Sequence, residues 1–459
     1  MKADAVQCIG PSYHLADRKA AVQSAINCLV QRLDGQNFML ASVPGRVQVN
    51  AFGANVRRSY NADGRWFVVA GTQLFELSSG GAVSTLRGAI EGAGFVGMAH
   101  NASQLAIVTG ERLYILTLAT NVLTQVTAGG WRGSDDVHEI DGYFVFVDPG
   151  TDQFYLSQID DGTNLNALDF SSADSAPDNV VTHRVLHRQL WLMGSRTCEI
   201  WVDSGDDAFP FVRYNSYTVE VGVVGKRAAI NAADTLFFIG RTDRGSGLVY
   251  MVVGNQPQRV SNLAVEEALL ASSDLSLATM WAYQTKGHEY VGINAPGLSS
   301  TWVYDAASQL WHERAEWDEQ WFQDRASMHT FFEGDVFCAD SGGKLYKLDE
   351  ATNNLAGLPL VRERTWPHLV ARSLEPVSYR CLELSCATGG ERLGSITLEI
   401  SNDGGAVWGA PLLRSLGAVG QRMQRVVWWR LGTAVNRVFR LRCSDDVPFA
   451  LYSAALDAG

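Results

Sequence analysis

The chain has 459 residues, 46% of them apolar and 19% charged, and a formal net charge of −12. Such a mixture buries a large core and does not describe a disordered chain, and the negative balance argues against a nucleic-acid-binding surface made by the fold as a whole. Seven scattered cysteines without paired spacing argue against a disulfide framework and for folding in a reducing cytoplasm. There is no signal-peptide core and no apolar stretch of membrane-spanning length, so the expectation is a soluble protein made in a cytosol, without membrane insertion.

Residues 1–50 form an N-terminal segment that joins the repeats following it. Ala16–Gly35 is rich in Ala, Gln, Arg and Leu and passes for a helix on propensity. It carries Gln23 and Asn27 and leads into MLASVPG, an apolar run stopped by Pro44 and Gly45.

Residues 51–355 repeat one unit: an apolar strand, a glycine or polar turn, and an aromatic-rich strand. HRQLWLMGSRTCEIWV, from His187 to Val202, is a clear copy, and others begin at Gly64, Ser103, Gly142, Thr235, His288 and Gly334. About seven units at a spacing of roughly 38 to 53 residues fall in the range of propeller blades. Their solid apolar strands, such as FVVA and YFVFV, read as strands buried on both faces, as inner strands of stacked blades are. Asn262–Met280 is the best helix candidate, with Glu266 and Glu267 near its start. In Thr301–Trp317 one strand ends at Tyr304 and Asp305, the turn is Ala306 to Gln309, and Leu310 and Trp311 open the return strand.

Residues 356–459 alternate apolar and polar side chains more cleanly, which predicts a separate β-sandwich-like domain whose boundary lies within Leu355–Pro367. Alternation sends Arg437, Arg440 and Arg442 to solvent or a partner if Val438, Phe439, Leu441 and Cys443 pack. The fold class expected is all-β, a propeller of about seven blades followed by this sandwich.

Candidate chemistry is sparse. Ser401, Asp403, Gly405 and Trp408 fit the Asp-box of sialidase-type propellers, with Val407 where Thr is usual, and read as a structural turn. Gly92, Gly94 and Gly97 spell G-x-G-x-x-G without a helix to follow. His183 and His187 are spaced for one face of a strand, yet no third ligand lies near, and Cys381 and Cys386 lack zinc partners. The acid pairs Asp135–Asp136, Asp160–Asp161, Asp206–Asp207 and Asp445–Asp446 read as solvated turns. Arg425, Trp428, Trp429, Arg430, Arg437, Arg440 and Arg442 make a basic aromatic cluster, a candidate subunit contact. No catalytic, cofactor-binding or metal residue is nominated.

The order of these parts resembles the packaged-DNA stabilisation family, the tail nozzle or hub proteins of short-tailed phages. The resemblance rests on Gln23, Asn27 and the run closing at Pro44 and Gly45, and on hairpins such as Thr301–Trp317, which also resemble kelch-like blades. It continues in the Asn402-Asp403-Gly404 turn, the RVVWWRLG run from Arg425 and the closing strand from Arg437. It implies that the first fifty residues are extended rather than helical, and that reading is preferred here over propensity. It implies a structural virion protein without enzymatic activity or cofactor, made in the host bacterial cytoplasm. Its copies would form a homo-oligomeric ring of six below the portal and adaptor proteins. The ring would dock tail fibres or tailspikes, be closed by a needle or plug protein, and pass genome DNA without sequence-specific binding. An acidic wall suits that passage, since a basic one would bind the duplex by counterion release. Two alternatives remain: a carbohydrate-binding or sialidase-like propeller, which needs an arginine cluster and paired acids at one mouth, and a cytoplasmic propeller used as an interaction scaffold.

Overall fold

The computed structural model describes residues 4–33, 38–127, 129–206, 209–242, 244–370 and 375–458. Gly35, at the end of the propensity-based helix, and Asp207, in one acid pair, lie outside those residues.

Seven antiparallel sheets form a propeller. Blade 1 comprises Val56–Ala62, Arg65–Ala70, Gln73–Leu77 and Ser84–Ala89, and blade 2 comprises Gly97–His100, Gln104–Val108, Leu113–Thr117 and Val122–Val126. Blade 3 runs His138–Ile140, Tyr143–Val147, Gln153–Gln158 and Asp161–Ser172, and blade 4 runs Val180–Leu186, Gln189–Gly194, Cys198–Asp203 and Phe211–Val219. In blade 5, Gly222–Val223 and Ala229–Ala232 both pair with Thr235–Thr242, followed by Gly245–Val253 and Gln256–Arg259. Blade 6 is Thr279–Thr285, His288–Asn294, Thr301–Asp305 and Leu310–Asp318. Blade 7 has Met328–Phe332, Asp335–Ala339 and Lys344–Asp349, and takes its outer strand, Gly45–Ala51, from the N-terminal segment. The first strand of each blade touches that of the next, and blade 7 meets blade 1, so the circle is closed.

The apolar runs are buried on both faces because each blade is covered by two neighbours. Phe67 and Val69 of blade 1 pack against Met98, Leu105 and Ile107 of blade 2, while Trp66 and Val68 face Phe337 and Leu345 of blade 7. The Thr301–Trp317 hairpin has the expected strands and turn. Asp305 fixes that turn by accepting from Ala307 N and Ser308 Oγ, and Gln309 takes the left-handed φ of 59°.

Two local readings change. The helix expected over Asn262–Met280 covers only Leu263–Leu270, capped by the Asn262 side chain on Val265 N. Asp274 then caps a short 3-10 turn, and from Thr279 the chain is drawn into the innermost strand of blade 6. The propensity-based helix over Ala16–Gly35 is replaced by strands Val22–Ile26 and Cys28–Arg32, in accord with the extended reading. Tertiary pairing overrides propensity here: Ala25, Cys28 and Leu29 are buried between layers that a lone helix could not reach.

Beyond the propeller lies a two-sheet sandwich. One sheet orders Cys28–Arg32, Phe38–Ser42, Ala450–Ala458, Val377–Cys386 and Val426–Ala434. The other holds Arg362–Thr365, Asn436–Cys443, Ser395–Ser401 and Leu412–Ser415. Trp366, Leu382, Trp428, Phe439, Leu441 and Leu451 fill the space between them. Val22–Ile26 lies between the outer strand of blade 6 and Arg362–Thr365, so one hydrogen-bonded sheet runs from propeller into sandwich. Within the first fifty residues, Gly45–Ala51 enters a blade, whereas the strands from Val22 to Ser42 lie in the seam or in the sandwich.

Candidate assembly site at the propeller–sandwich joint

The seam is polar, and its polar groups are used. Asn27 interrupts the N-terminal strands with a left-handed φ of 55°, a conformation Asn tolerates better than most side chains. Its Nδ2 donates to Ala315 O at 2.7 Å and to Val361 O at 2.8 Å, and its Oδ1 accepts from Ala315 N at 3.0 Å. One buried amide thereby ties blade 6, the N-terminal segment and the first sandwich strand together.

Charged groups flank it. Glu313, 2% exposed, accepts from Ser300 Oγ at 2.6 Å and lies 3.1 Å from His14 Nε2. Burial alone pushes this carboxyl up, but His14 and the surrounding hydroxyl groups hold it below the usual range. Arg364, fully buried, donates to the carbonyls of Cys8, Pro11 and Ser24 and so straps the N-terminal loop to the sandwich. Burial pulls its guanidinium down to about 10. Arg442 reaches back across the joint: it pairs with Glu363 at 2.6 Å and stacks over Trp317 at 4.9 Å and Trp321 at 6.0 Å. Arg46 pairs with Glu316 and Asp324 nearby, at 3.1 and 3.0 Å. These contacts tie the propeller to the sandwich through buried ion pairs and hydrogen bonds.

The structure divides the basic aromatic cluster. Arg437 is buried, donates to Leu431 O and lies over the Tyr379 ring at 4.4 Å, so it does not face solvent as alternation predicts. Trp428 is core and donates to Leu412 O. Arg440 pairs with Glu399 and stacks on Trp408 at 3.9 Å, and Arg442 is spent in the joint. Both faces of the strand are covered near Arg437, which removes the wet side that alternation assumes. Arg425, Trp429 and Arg430 remain exposed, with Arg425 forked onto Glu383 at 2.7 and 2.8 Å.

The Asp-box-like residues lie in a turn after strand Ser395–Ser401. Asp403 Oδ1 accepts from Ser401 Oγ at 2.6 Å, Val407 N at 3.0 Å and Ala406 N at 3.1 Å, while Gly405 takes φ 92°. The Ser401 hydroxyl, then the backbone N–H groups, hold the exposed Asp403 carboxyl below its usual range. Gly92 and Gly94 lie in a loop ahead of the strand that starts at Gly97, and Gly94 O accepts from the Arg57 side chain. His183 is buried in blade 4 with Nε2 on Val145 O, and His187 sits in a turn with φ 50°, so the two do not share a strand face. Asp136 is not a solvated turn acid: it is half-buried and pairs with Arg184 at 3.0 Å. Among the described residues no cluster of three or more potential metal ligands occurs, and no helix is long and apolar enough to cross a membrane.

The joint residues Ala315, Val361, Glu313, Glu363 and Arg364 carry no sequence signal of their role. Among the joint residues the sequence singles out Asn27, through its spacing from Gln23, and Arg442, in the basic aromatic cluster.

A family described as bacteriophage P22 Gp10, beta-propeller, matches residues 26–353. A second, described as bacteriophage P22 Gp10, beta-sandwich, matches residues 364–459. No curated protein matches the chain. Among solved structures, the chain is similar to the N-terminal domain of Nup159 at 10% identity, with 71% of this chain and 99% of that one covered and a TM-score of 0.44. It is also similar to YCF48 from Cyanidioschyzon merolae at 11% identity (67% and 99% covered, TM-score 0.43). A computationally designed protein, Ika8, aligns at 11% identity (71% and 97% covered, TM-score 0.41).

Proposed function

Because this chain belongs to the bacteriophage P22 Gp10 family in its propeller and its sandwich alike, and is therefore a phage structural tail protein, we propose that it forms the tail nozzle of a short-tailed phage. In this reading copies of the chain assemble as a ring of six below the portal and adaptor proteins. The ring surrounds the path of the genome, is closed by a needle or plug, and carries fibres or tailspikes on its flank. The role is mechanical and calls for no reacting group.

The observation that carries the reading is the family match over both domains, in one order, along almost the whole chain. Two physical features support it. One hydrogen-bonded sheet runs from blade 6 into the sandwich, a connection that suits a stiff wall. The net charge of −12 suits a wall past which phosphate slides rather than sticks. Arg425, Trp429 and Arg430, all exposed, with Trp429 59% so, form the proposed contact between neighbouring copies.

Electron microscopy of the purified protein mixed with portal–adaptor rings tests the proposal. Added density below the adaptor with ring symmetry is expected. A monomer that never docks, yet cleaves a glycoside, would overturn it.

A further inference from the structure

Two inner strands and a turn bring three cations to the bore of the propeller. Arg58 comes from the first strand of blade 1 and Arg184 from that of blade 4, while Arg227 projects from the turn before Ala229–Ala232 of blade 5. Two adjoining cavities of about 510 and 440 Å3 open there, sharing Phe95, Asp136 and Arg227 in their walls. That size accommodates a small ligand.

The charges do not balance. The walls carry four cations, Arg58, Arg184, Arg227 and Lys226, against two carboxylates, Asp135 and Asp136. Asp136 is taken by Arg184 at 3.0 Å, and Asp135 by Lys226. Arg58 also lies in the field of Asp136, but neither it nor Arg227 forms an ion pair among the described residues. Both guanidinium groups lie over the ring of Phe95, at 5.2 and 5.4 Å. The Nε of Arg58 is buried with no hydrogen-bond partner. Burial also draws the Arg227 guanidinium below its ordinary range. Two like charges on one ring, with an unused buried donor, are costly to hold unless an anion meets them. In a chain of net charge −12, this local excess of cations is set against the overall field.

We propose that the bore holds a ligand's oxyanion, a carboxylate or phosphate group, clamped between Arg58 and Arg227 above Phe95. The proposal is independent of the nozzle reading, since it concerns the axis of one propeller and not the ring.

Calorimetric titration of the full chain in low-salt buffer tests it, with inorganic phosphate in one arm and glucuronate in the other. Saturable binding at one site per chain is expected in at least one arm, and the responding arm names the group. R227A, at an exposed turn, should weaken that binding at least tenfold, and R58A likewise if it folds by circular dichroism. R425A, on the sandwich, should bind as the parent does. Absence of saturable binding in both arms, or equal binding by a folded R227A, would overturn the proposal.

Discussion

Asn27 and Ala315 exchange two hydrogen bonds across the joint, Nδ2 to Ala315 O at 2.7 Å and Ala315 N to Oδ1 at 3.0 Å. A side-chain amide here does the work of a strand neighbour, and it adds a third bond to Val361 O at 2.8 Å.

Asn27→Ala should therefore be among the most damaging single changes in the seam. It orphans three backbone groups and forces Ala to a left-handed φ of 55°. At about 1–3 kcal/mol for each buried group left unsatisfied, a loss of at least about 3 kcal/mol is expected. Urea unfolding monitored by tryptophan fluorescence reads it, and a change below about 0.5 kcal/mol would contradict the role given to Asn27.

Arg442→Ala leaves Glu363, 5% exposed, buried without its guanidinium partner. Removing one member of a buried pair costs about 3–5 kcal/mol, whereas removing both costs less. Glu363→Gln added to Arg442→Ala should recover part of the loss in a double-mutant cycle. Strict additivity would show that the pair is not coupled.

Acid should destabilise the fold before any carboxylate titrates. Burial holds His183 down to about 4, and His138, His312 and His329 well below their usual 6.5. The unfolded chain takes up protons that the folded chain refuses, so stability is full above pH 6.5 and falls as pH drops from there towards 4. Each such histidine contributes a slope of up to about 1.4 kcal/mol per pH unit. Below that window Glu313 and Asp136, with folded values below their usual range, continue the loss. Urea midpoints at pH 7.5 and 5 measure it, and equal midpoints would refute the assignment.

The thiols should be inert in the native protein. Burial pushes Cys8 and Cys386 up to about 11, and Cys28 and Cys338 up to about 12. Since the thiolate is the reacting species, these four should escape an aromatic disulfide reagent at pH 8 until denaturant is added. Rapid reaction of four or more of the seven cysteines would show the seam and blade cores to be open.

Gly45→Ala tests how the propeller is closed. A Cβ there would lie 2.2 Å from Thr352 O and 2.7 Å from Asn354 O, both backbone atoms that cannot step aside. Displacing the outer strand of blade 7 should cost about 1–3 kcal/mol and expose residues near position 50 to limited proteolysis. An unchanged digestion pattern would speak against that closure.

Much of the propeller was legible because it is local. The Thr301–Asp305 strand and its turn are specified by neighbours: Asp305 bonds residues two and three positions away. Repeat spacing then gives the blade count, since one sheet cannot bury itself. The joint was not legible, because its partners are far apart in the chain. Asn27 and Ala315 are separated by 288 residues, and nothing near either one announces the other. Arg437 shows a second limit. Alternation assigns a face, but a layer laid over that face turns an arginine into a buried group resting on Tyr379. The charged wall of the bore was hidden too, because Arg58, Asp136 and Arg227 meet only when three blades close on one axis.

The outer strand of blade 7 carries a cost in time. Gly45–Ala51 leaves the ribosome roughly 300 residues before Lys344–Asp349, a wait on the order of 15–60 s at bacterial rates of translation. Phe38–Ser42, already paired with Cys28–Arg32, waits longer still for Ala450–Ala458. Nascent chains released early thus present unpaired edges at both domains.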